Sequence, residues 1–334
     1  MKSFKIHRPT SVEDAIGLLP SGRGPAEDHE ARPLAGGQDL LTEMQEYLIE
    51  PEALVDLTEV AGLDAYSTDG TLVLGALTTL ARIAGDAAVE SRWTALAQAA
   101  GSVASPQIRT QGTLGGNLCQ RPRCWYYRHS EAPCIKKGGS ECFAEGGQNK
   151  YNAILGGGPS YIVHPSDCAP ALVCLDATVT KAGKRGEATM PLEEFFTLPS
   201  EGSVVRENVL KANELLLRVE VPAPEPGWRS TYLKFKERES YDFALSAVAL
   251  SARMDGERIE AARLVLGAVA PIPWRAEAAE EFLAGKDSTP KVWREAAKLA
   301  LEGAEPLEQN GYKVPLTEGL IQKALRALTE GGAK

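Results

Sequence analysis

Two glycine pairs constrain this chain more than any other feature. Gly36-Gly37 follows the strand-like stretch Arg32 to Ala35 at once and precedes Asp39 to Tyr47, whose apolar spacing is helical. Gly115-Gly116 sits in Thr113-Leu114-Gly115-Gly116-Asn117, after Gln107-Ile108-Arg109-Thr110-Gln111-Gly112. Without a Cβ, successive backbone N–H groups can approach an anion closely. Neither turn is a P-loop or a G-x-G-x-x-G fingerprint, and a single Gly-Gly is equally an ordinary left-handed turn. Two such turns in different units point to one dinucleotide gripped from both sides. Leu34, Ala35, Gly36, Gly37, Gln38, Asp39 and Leu40 form the first candidate wall; Ile108, Thr113, Gly115, Gly116 and Asn117 form the second. Arg109 is open between a phosphate and a surface carboxylate as partner.

The rest of the chain organises around these turns. Phe4 to Ile6, a helix with Ser11 at its N-cap, Arg32 to Ala35 and Ala53 to Leu57 make a small α/β unit over residues 1–57. Leu72 to Ala76 and a helical run from Ala81 to Ala100 open a second unit, 58–222, which continues to strands near Ala177 to Val179 and Leu215 to Val221. Pro222, Pro224 and Pro226 cannot lie in a central strand or a helix interior and mark a linker. The third unit, 228–334, has strand patterns at Ser230 to Phe235, Ala244 to Met254 and Ile259 to Val269. Helices follow near Ala276 to Phe282, Val292 to Ala304 and Leu316 to Leu328. This is an α+β order. His164-Pro165-Ser166-Asp167 precedes the apolar run Ala169 to Leu175, so Ser166 or Asp167 is a helix cap, or Asp167 accepts from ribose hydroxyls.

Directly after the second turn come Cys119, Cys124, Cys134 and Cys142, among Arg121, Arg123, Arg128, Lys136 and Lys137. The spacing lacks the C-x₂-C pairs of zinc sites, while an Fe–S cluster tolerates wider spacing and is stabilised by nearby cations. The residues favour Fe–S and leave zinc and free thiols open. Cys168 and Cys174 read as buried small hydrophobes.

Composition narrows the function classes. A net charge of −9 argues against a nucleic-acid surface, which needs a dominant basic patch. No stretch approaches the roughly 18 uninterrupted apolar residues of a membrane span, and the expectation is a soluble cytoplasmic protein. No Ser/His/Asp set or carboxylate pair stands out.

These motifs, with Gly267-Ala268-Val269-Ala270-Pro271 and Pro273-Trp274-Arg275, give the chain a resemblance over nearly its whole length to a known family. It resembles the FAD-binding (medium) subunits of molybdenum hydroxylases, the xanthine dehydrogenase family, and their relatives in carbon monoxide dehydrogenase, 4-hydroxybenzoyl-CoA reductase and aldehyde oxidoreductase. The resemblance implies a two-part FAD-binding domain of vanillyl-alcohol-oxidase type, then an α+β flavoprotein C-terminal domain. It places the FAD pyrophosphate between the glycine turns, the ribose on Asp167, and the isoalloxazine near Tyr241, Asp242 and Lys234 or Lys236.

The loop at about 118–160 is similar to the insertion that gives some branches a [4Fe–4S] cluster, implying Cys124, Cys134 and Cys142 as ligands. In similar sequences a fourth cysteine sits where this chain has Ser160, so Cys119 is the expected fourth ligand and Ser160 a poorer one. The implied partners are a molybdopterin-binding large subunit and a [2Fe–2S] small subunit, in a heterotrimer or its dimer. FAD would exchange one-electron for two-electron steps before an external acceptor. Two other classes fit less of the sequence: a self-contained flavin oxidase of this fold, and a flavin-free Fe–S or zinc interaction module.

Overall fold

The computed structural model of the chain describes residues 1–20 and 30–330. Its first unit is a parallel sheet of three strands, β1 (Lys5–His7), β2 (Ala31–Leu34) and β3 (Ala53–Asp56), in the order β1-β3-β2. Parallel strands need crossovers. Helix α1 (Val12–Leu18) lies on the first, and Ser11 caps it by accepting from the Asp14 N–H at 3.1 Å. Helix α2 (Leu40–Gln45) joins β2 to β3.

The second unit is an antiparallel sheet of β4 (Tyr66–Ser67), β5 (Leu72–Gly75), β6 (Thr178–Gly183), β7 (Gly186–Pro191) and β8 (Leu215–Val221). Its order is β4-β5-β8-β6-β7. The helical run expected from Ala81 to Ala100 is instead three pieces: α3 (Leu80–Gly85), α4 (Ala87–Arg92) and α5 (Thr94–Ser102). Asp86 causes the first break. Its carboxylate accepts the N–H groups of Ala88 at 2.8 Å and Val89 at 3.1 Å, an N-cap geometry that starts a new helix. Strand β7 carried no sequence pattern because nearly all of it is exposed at the sheet edge. Helix α6 (Pro106–Gln111) precedes the second glycine pair, which lies within α7 (Leu114–Leu118), and α8 (Trp125–Arg128) lies in the cysteine loop.

The third unit is an antiparallel sheet of β9 (Trp228–Phe235), β10 (Ser246–Asp255), β11 (Arg258–Gly267) and β12 (Trp274–Arg275), with β13 (Lys286–Asp287) paired to β11. Helix α9 (Cys168–Cys174) from the second unit packs against β10 and β11. The remaining helices, α10 (Glu277–Leu283), α11 (Pro290–Leu299) and α12 (Lys313–Glu330), are coupled to the third sheet directly or through one another.

The segment between β8 and β9 has no regular structure, yet the core runs across it. One cluster joins Leu72, Trp93 and Leu172 to Tyr232, Ala247, Ala249 and Val265. The buried Trp93 donates its indole N–H to the Pro222 carbonyl at 2.8 Å. The second and third units therefore share buried surface, which holds their relative positions and the cleft between them. Among the described residues no helix is long and apolar enough to cross a membrane.

Candidate cofactor cleft

The first glycine turn forms where the chain leaves β2. A Cβ on Gly36 would lie 1.9 Å from the Gln111 carbonyl oxygen, so this glycine lets the turn press onto the C-terminal end of α6. Gly37 has φ +70°, a left-handed conformation that favours glycine. The backbone N–H groups of Gly36, Gly37 and Gln38 have no acceptor among the described residues, and all three residues line a cleft. This is a row of donors available to an anion.

The second turn is built differently. The Gly115 N–H donates to Ala76 O at 2.8 Å, the Gly116 N–H to Thr113 Oγ1 at 3.2 Å, and the Asn117 N–H to Thr113 O at 2.9 Å. These amides already have protein acceptors. A Cβ on Gly115 would stand 2.9 Å from Ala76 Cβ, whereas one on Gly116 would meet only Thr113 Oγ1, at 3.1 Å. Asn117 accepts from Ser166 Oγ at 2.5 Å through its side-chain oxygen. That leaves its amide NH₂ as the donor this turn can offer a ligand.

The cleft has a volume of about 1510 Å³ and draws its lining from all three units. Every candidate cofactor residue lines it except Lys236 and Leu34, the latter packing with Met44, Ile49 and Leu54. Asp39 lines it, but its carboxylate is engaged. Oδ1 pairs with Arg123 at 2.8 Å and Arg128 at 2.7 Å, and Oδ2 accepts the Arg121 N–H at 2.7 Å. Arg109 donates through Nη1 to Val103 O at 2.7 Å.

At the other end, Asp167 occupies the N-cap position of α9 but makes no side-chain cap bond. Ser166 Oγ takes the Ala169 N–H at 3.0 Å, while Asp167 accepts from Tyr232 Oη at 2.6 Å and pairs with Lys234 Nζ at 2.8 Å. Burial and the adjacent Asp167 carboxylate push the Tyr232 hydroxyl pKa well up, so Tyr232 stays a donor. Tyr241 lines the mouth with 66% of its surface exposed. Lys236 instead donates to Glu239 O at 3.2 Å and Ser240 O at 3.0 Å.

The cysteine loop separates one candidate thiol from the others. Cys119 lines the cleft and packs against the main core, and burial pushes its pKa up to about 12. Cys134 bridges to Glu141, the residue before Cys142; burial pushes the Cys134 pKa up, with a smaller contribution from the nearby Cys124. No three His, Cys, Asp or Glu side chains are gathered as a metal site among the described residues. Core packing holds Cys119 in the cleft wall. Ser160 Oγ is fully buried and has no hydrogen-bond partner among the described residues.

A buried charge group separates cleft and loop: Glu207 pairs with Lys136 at 2.5 Å and with Arg121 at 3.2 Å. Nothing in the sequence singled out Glu207, or the basic hairpin residues Lys181, Lys184 and Arg185 that also line the cleft. They read as ordinary polar loop and edge positions, and no local pattern marks a wall made from distant segments. His164 is also buried; desolvation lowers its pKa to about 4, and its Nδ1 accepts the Ser166 N–H at 3.4 Å.

Residues 2–224 match the model of the FAD binding domain in molybdopterin dehydrogenase, and residues 230–328 match the CO dehydrogenase flavoprotein C-terminal domain. The chain is 36% identical over 332 residues to the aldehyde oxidoreductase FAD-binding subunit PaoB of Escherichia coli K12, covering 97% of this chain and 98% of that one. It is 28% identical over 330 residues to the carbon monoxide dehydrogenase medium chain of Hydrogenophaga pseudoflava, covering 97% and 96%. Among solved structures, quinoline 2-oxidoreductase from Pseudomonas putida 86 superposes with a TM-score of 0.76 at 27% identity, covering 100% of this chain and 99% of that one.

Proposed function

The chain belongs to the family of FAD-binding subunits of molybdopterin dehydrogenases, and on that premise we propose how its cleft holds FAD and where the electrons go. The observation that carries the reading is the row of unpaired amides at Gly36, Gly37 and Gln38 along a cleft that reaches Tyr241. These amides would take one side of the pyrophosphate. The Asn117 NH₂ would meet the other side, and Gly116 leaves the space for that approach. Asp167, held by Lys234 and Tyr232, would present its carboxylate to ribose hydroxyls. The ring would lie toward Tyr241, where the cleft opens to solvent.

When bound, FAD supplies the exchange between one-electron and two-electron chemistry. The residues of the cleft are assigned binding and orientation of the cofactor. Substrate oxidation is therefore assigned to a molybdopterin-binding partner, with a [2Fe–2S] subunit between it and this chain. An external acceptor would receive the electrons at the open end of the cleft.

A [4Fe–4S] centre is proposed only for the three thiols that share the loop, Cys124, Cys134 and Cys142. Cys124 and Cys134 lie close enough to interact electrostatically, Cys142 follows the residue bridged to Cys134, and the buried Ser160 Oγ has no hydrogen-bond partner among the described residues; these support it. Iron and acid-labile sulfide analysis of anaerobically purified protein tests it; an iron-free wild type rejects it. The flavin reading is tested by the absorption spectrum and released FAD of the purified chain. Co-expression with candidate molybdopterin and [2Fe–2S] subunits tests the assembly. A chain that binds no FAD, or that oxidises organic substrates alone, overturns the proposal.

A further inference from the structure

Helix α2 follows the first glycine turn directly and carries Asp39, Glu43 and Glu46, whose spacings of four and three put the carboxylates on one side of it. The cysteine loop engages all three. Asp39 accepts the Arg121 N–H and pairs with Arg128 Nη2, both at 2.7 Å. Glu43, 2% exposed, accepts from Tyr127 Oη at 2.7 Å, and Glu46 pairs with Arg128 Nη1 at 3.6 Å. Arg128 is itself fixed within the loop, donating from Nε to Pro122 O at 2.8 Å.

The same loop grips a second part of the cleft wall. Arg121 donates through Nη2 to Val205 O at 2.9 Å and pairs with Glu207, while Lys136 pairs with Glu207 and donates to Arg206 O at 3.2 Å. Asp39, Glu43, Val205, Arg206 and Glu207 all line the cleft; among the described residues, none from 124 to 164 does. The loop therefore holds two wall segments from behind, and Arg121 touches both, one through its backbone and one through its side chain. Charge gives the hold a purpose. A carboxylate directly after the amide row opposes a bound anion unless a cation offsets it, and paired charges interact more strongly in a partly buried site than in water.

We propose that FAD binding and the order of the cysteine loop are coupled, with Arg121, Tyr127 and Arg128 as positioning residues that hold α2 and residues 205–207 in the arrangement that receives the pyrophosphate. The inference rests on the flavin reading for its ligand and needs no cluster in the loop. Coupling of this kind is reciprocal: the factor by which an ordered loop tightens FAD binding is the factor by which FAD stabilises the loop.

The test uses the full-length chain freed of flavin and titrated with FAD, with hydrogen exchange of residues 126–137 measured with and without saturating FAD. In the wild type, FAD is expected to slow exchange of this segment by roughly fivefold or more, although the segment lies outside the cleft, and to leave α11 unchanged. Tyr127→Phe, which keeps the ring, and Arg128→Lys, which keeps the charge, should each weaken FAD binding by about fivefold. Arg128→Ala should weaken it on the order of tenfold or more and abolish the protection of 126–137 by FAD. If Arg128→Ala fails to fold, Tyr127→Phe, Arg128→Lys and the wild-type exchange decide. Unchanged FAD affinity in the variants, or wild-type exchange at 126–137 that is the same with and without FAD, overturns the proposal while leaving the flavin reading intact. A wild type that binds no FAD overturns the flavin reading, and the coupling with it.

Discussion

The two glycine turns look alike in the sequence and do opposite things with their backbone. At Gly36, Gly37 and Gln38 the amides have no acceptor among the described residues, whereas at Gly115, Gly116 and Asn117 each amide has one within the protein. Yet Gly36 and Gly115 are alike in another respect, since a Cβ on either would collide with neighbouring protein. A glycine pair therefore reports close backbone approach, but not whether the approaching group is a ligand or the protein itself. In the first turn the collision glycine seats the loop so that the following amides face outward. In the second, the collision glycine seats the helix start and the next glycine keeps the cleft clear.

Four substitutions or conditions break or sharpen this contrast. Gly36→Ala should have the largest effect, because the new methyl meets a carbonyl oxygen at 1.9 Å and backbone must move. We expect more than about 4 kcal/mol of destabilisation together with loss of FAD. Near-wild-type thermal unfolding would show that the turn is not seated as described.

Asp167→Ala is next. It leaves the Lys234 ammonium, 5% exposed, without its carboxylate, and removing one partner of a buried pair costs about 3 kcal/mol or more. Lower FAD affinity with unchanged stability would mean that the pair with Lys234 contributes little. Loss of stability without loss of affinity would remove Asp167 from the cofactor site.

Acidification probes the second turn through His164, whose backbone neighbour Ser166 bonds Asn117. Between pH 6.5 and about 4 the unfolded chain binds a proton at this histidine that the folded chain does not. Stability must then fall as pH drops through that window, by up to roughly 3 kcal/mol. His164→Phe should flatten that limb of the pH–stability curve, and an identical curve would exclude His164 as its cause.

Gly116→Val should have the smallest effect on stability and a clear one on binding. The side chain points into the cleft past Thr113 Oγ1, so the apo chain should change by about 1 kcal/mol or less while FAD occupancy is lost. Full occupancy in this variant would contradict the assignment of the second turn to the cofactor. Together with Gly36→Ala it separates a glycine needed for folding from one needed for the ligand.

Legibility followed the range of the interaction. Ser11 was readable as a cap because its partner is three residues away. The breaks in the Ala81 to Ala100 run were missed because apolar periodicity continued across Asp86, whose capping geometry outweighs that pattern. Strand β7 was missed because an exposed edge needs no alternation. In the cleft, the two turns were legible as motifs, while Glu207 and the basic hairpin were not, since each reaches the site from far along the chain. Asp39 sat inside a recognisable motif, yet its carboxylate is taken by three donors from residues 121–128.

The sequence by itself determined the family, the α+β order of its units and the position of both turns, because those depend on local pattern and on motif order along the chain. Tertiary structure alone decided which amides lack an acceptor among the described residues and which side chains from distant segments line the cleft. Hydrogen-bond partners and side-chain directions are settled by groups tens to hundreds of residues apart. Cys119 is the clearest case: with only four residues between it and Cys124 in the chain, it is held in the cleft wall by a core whose members run from Leu72 to Val265.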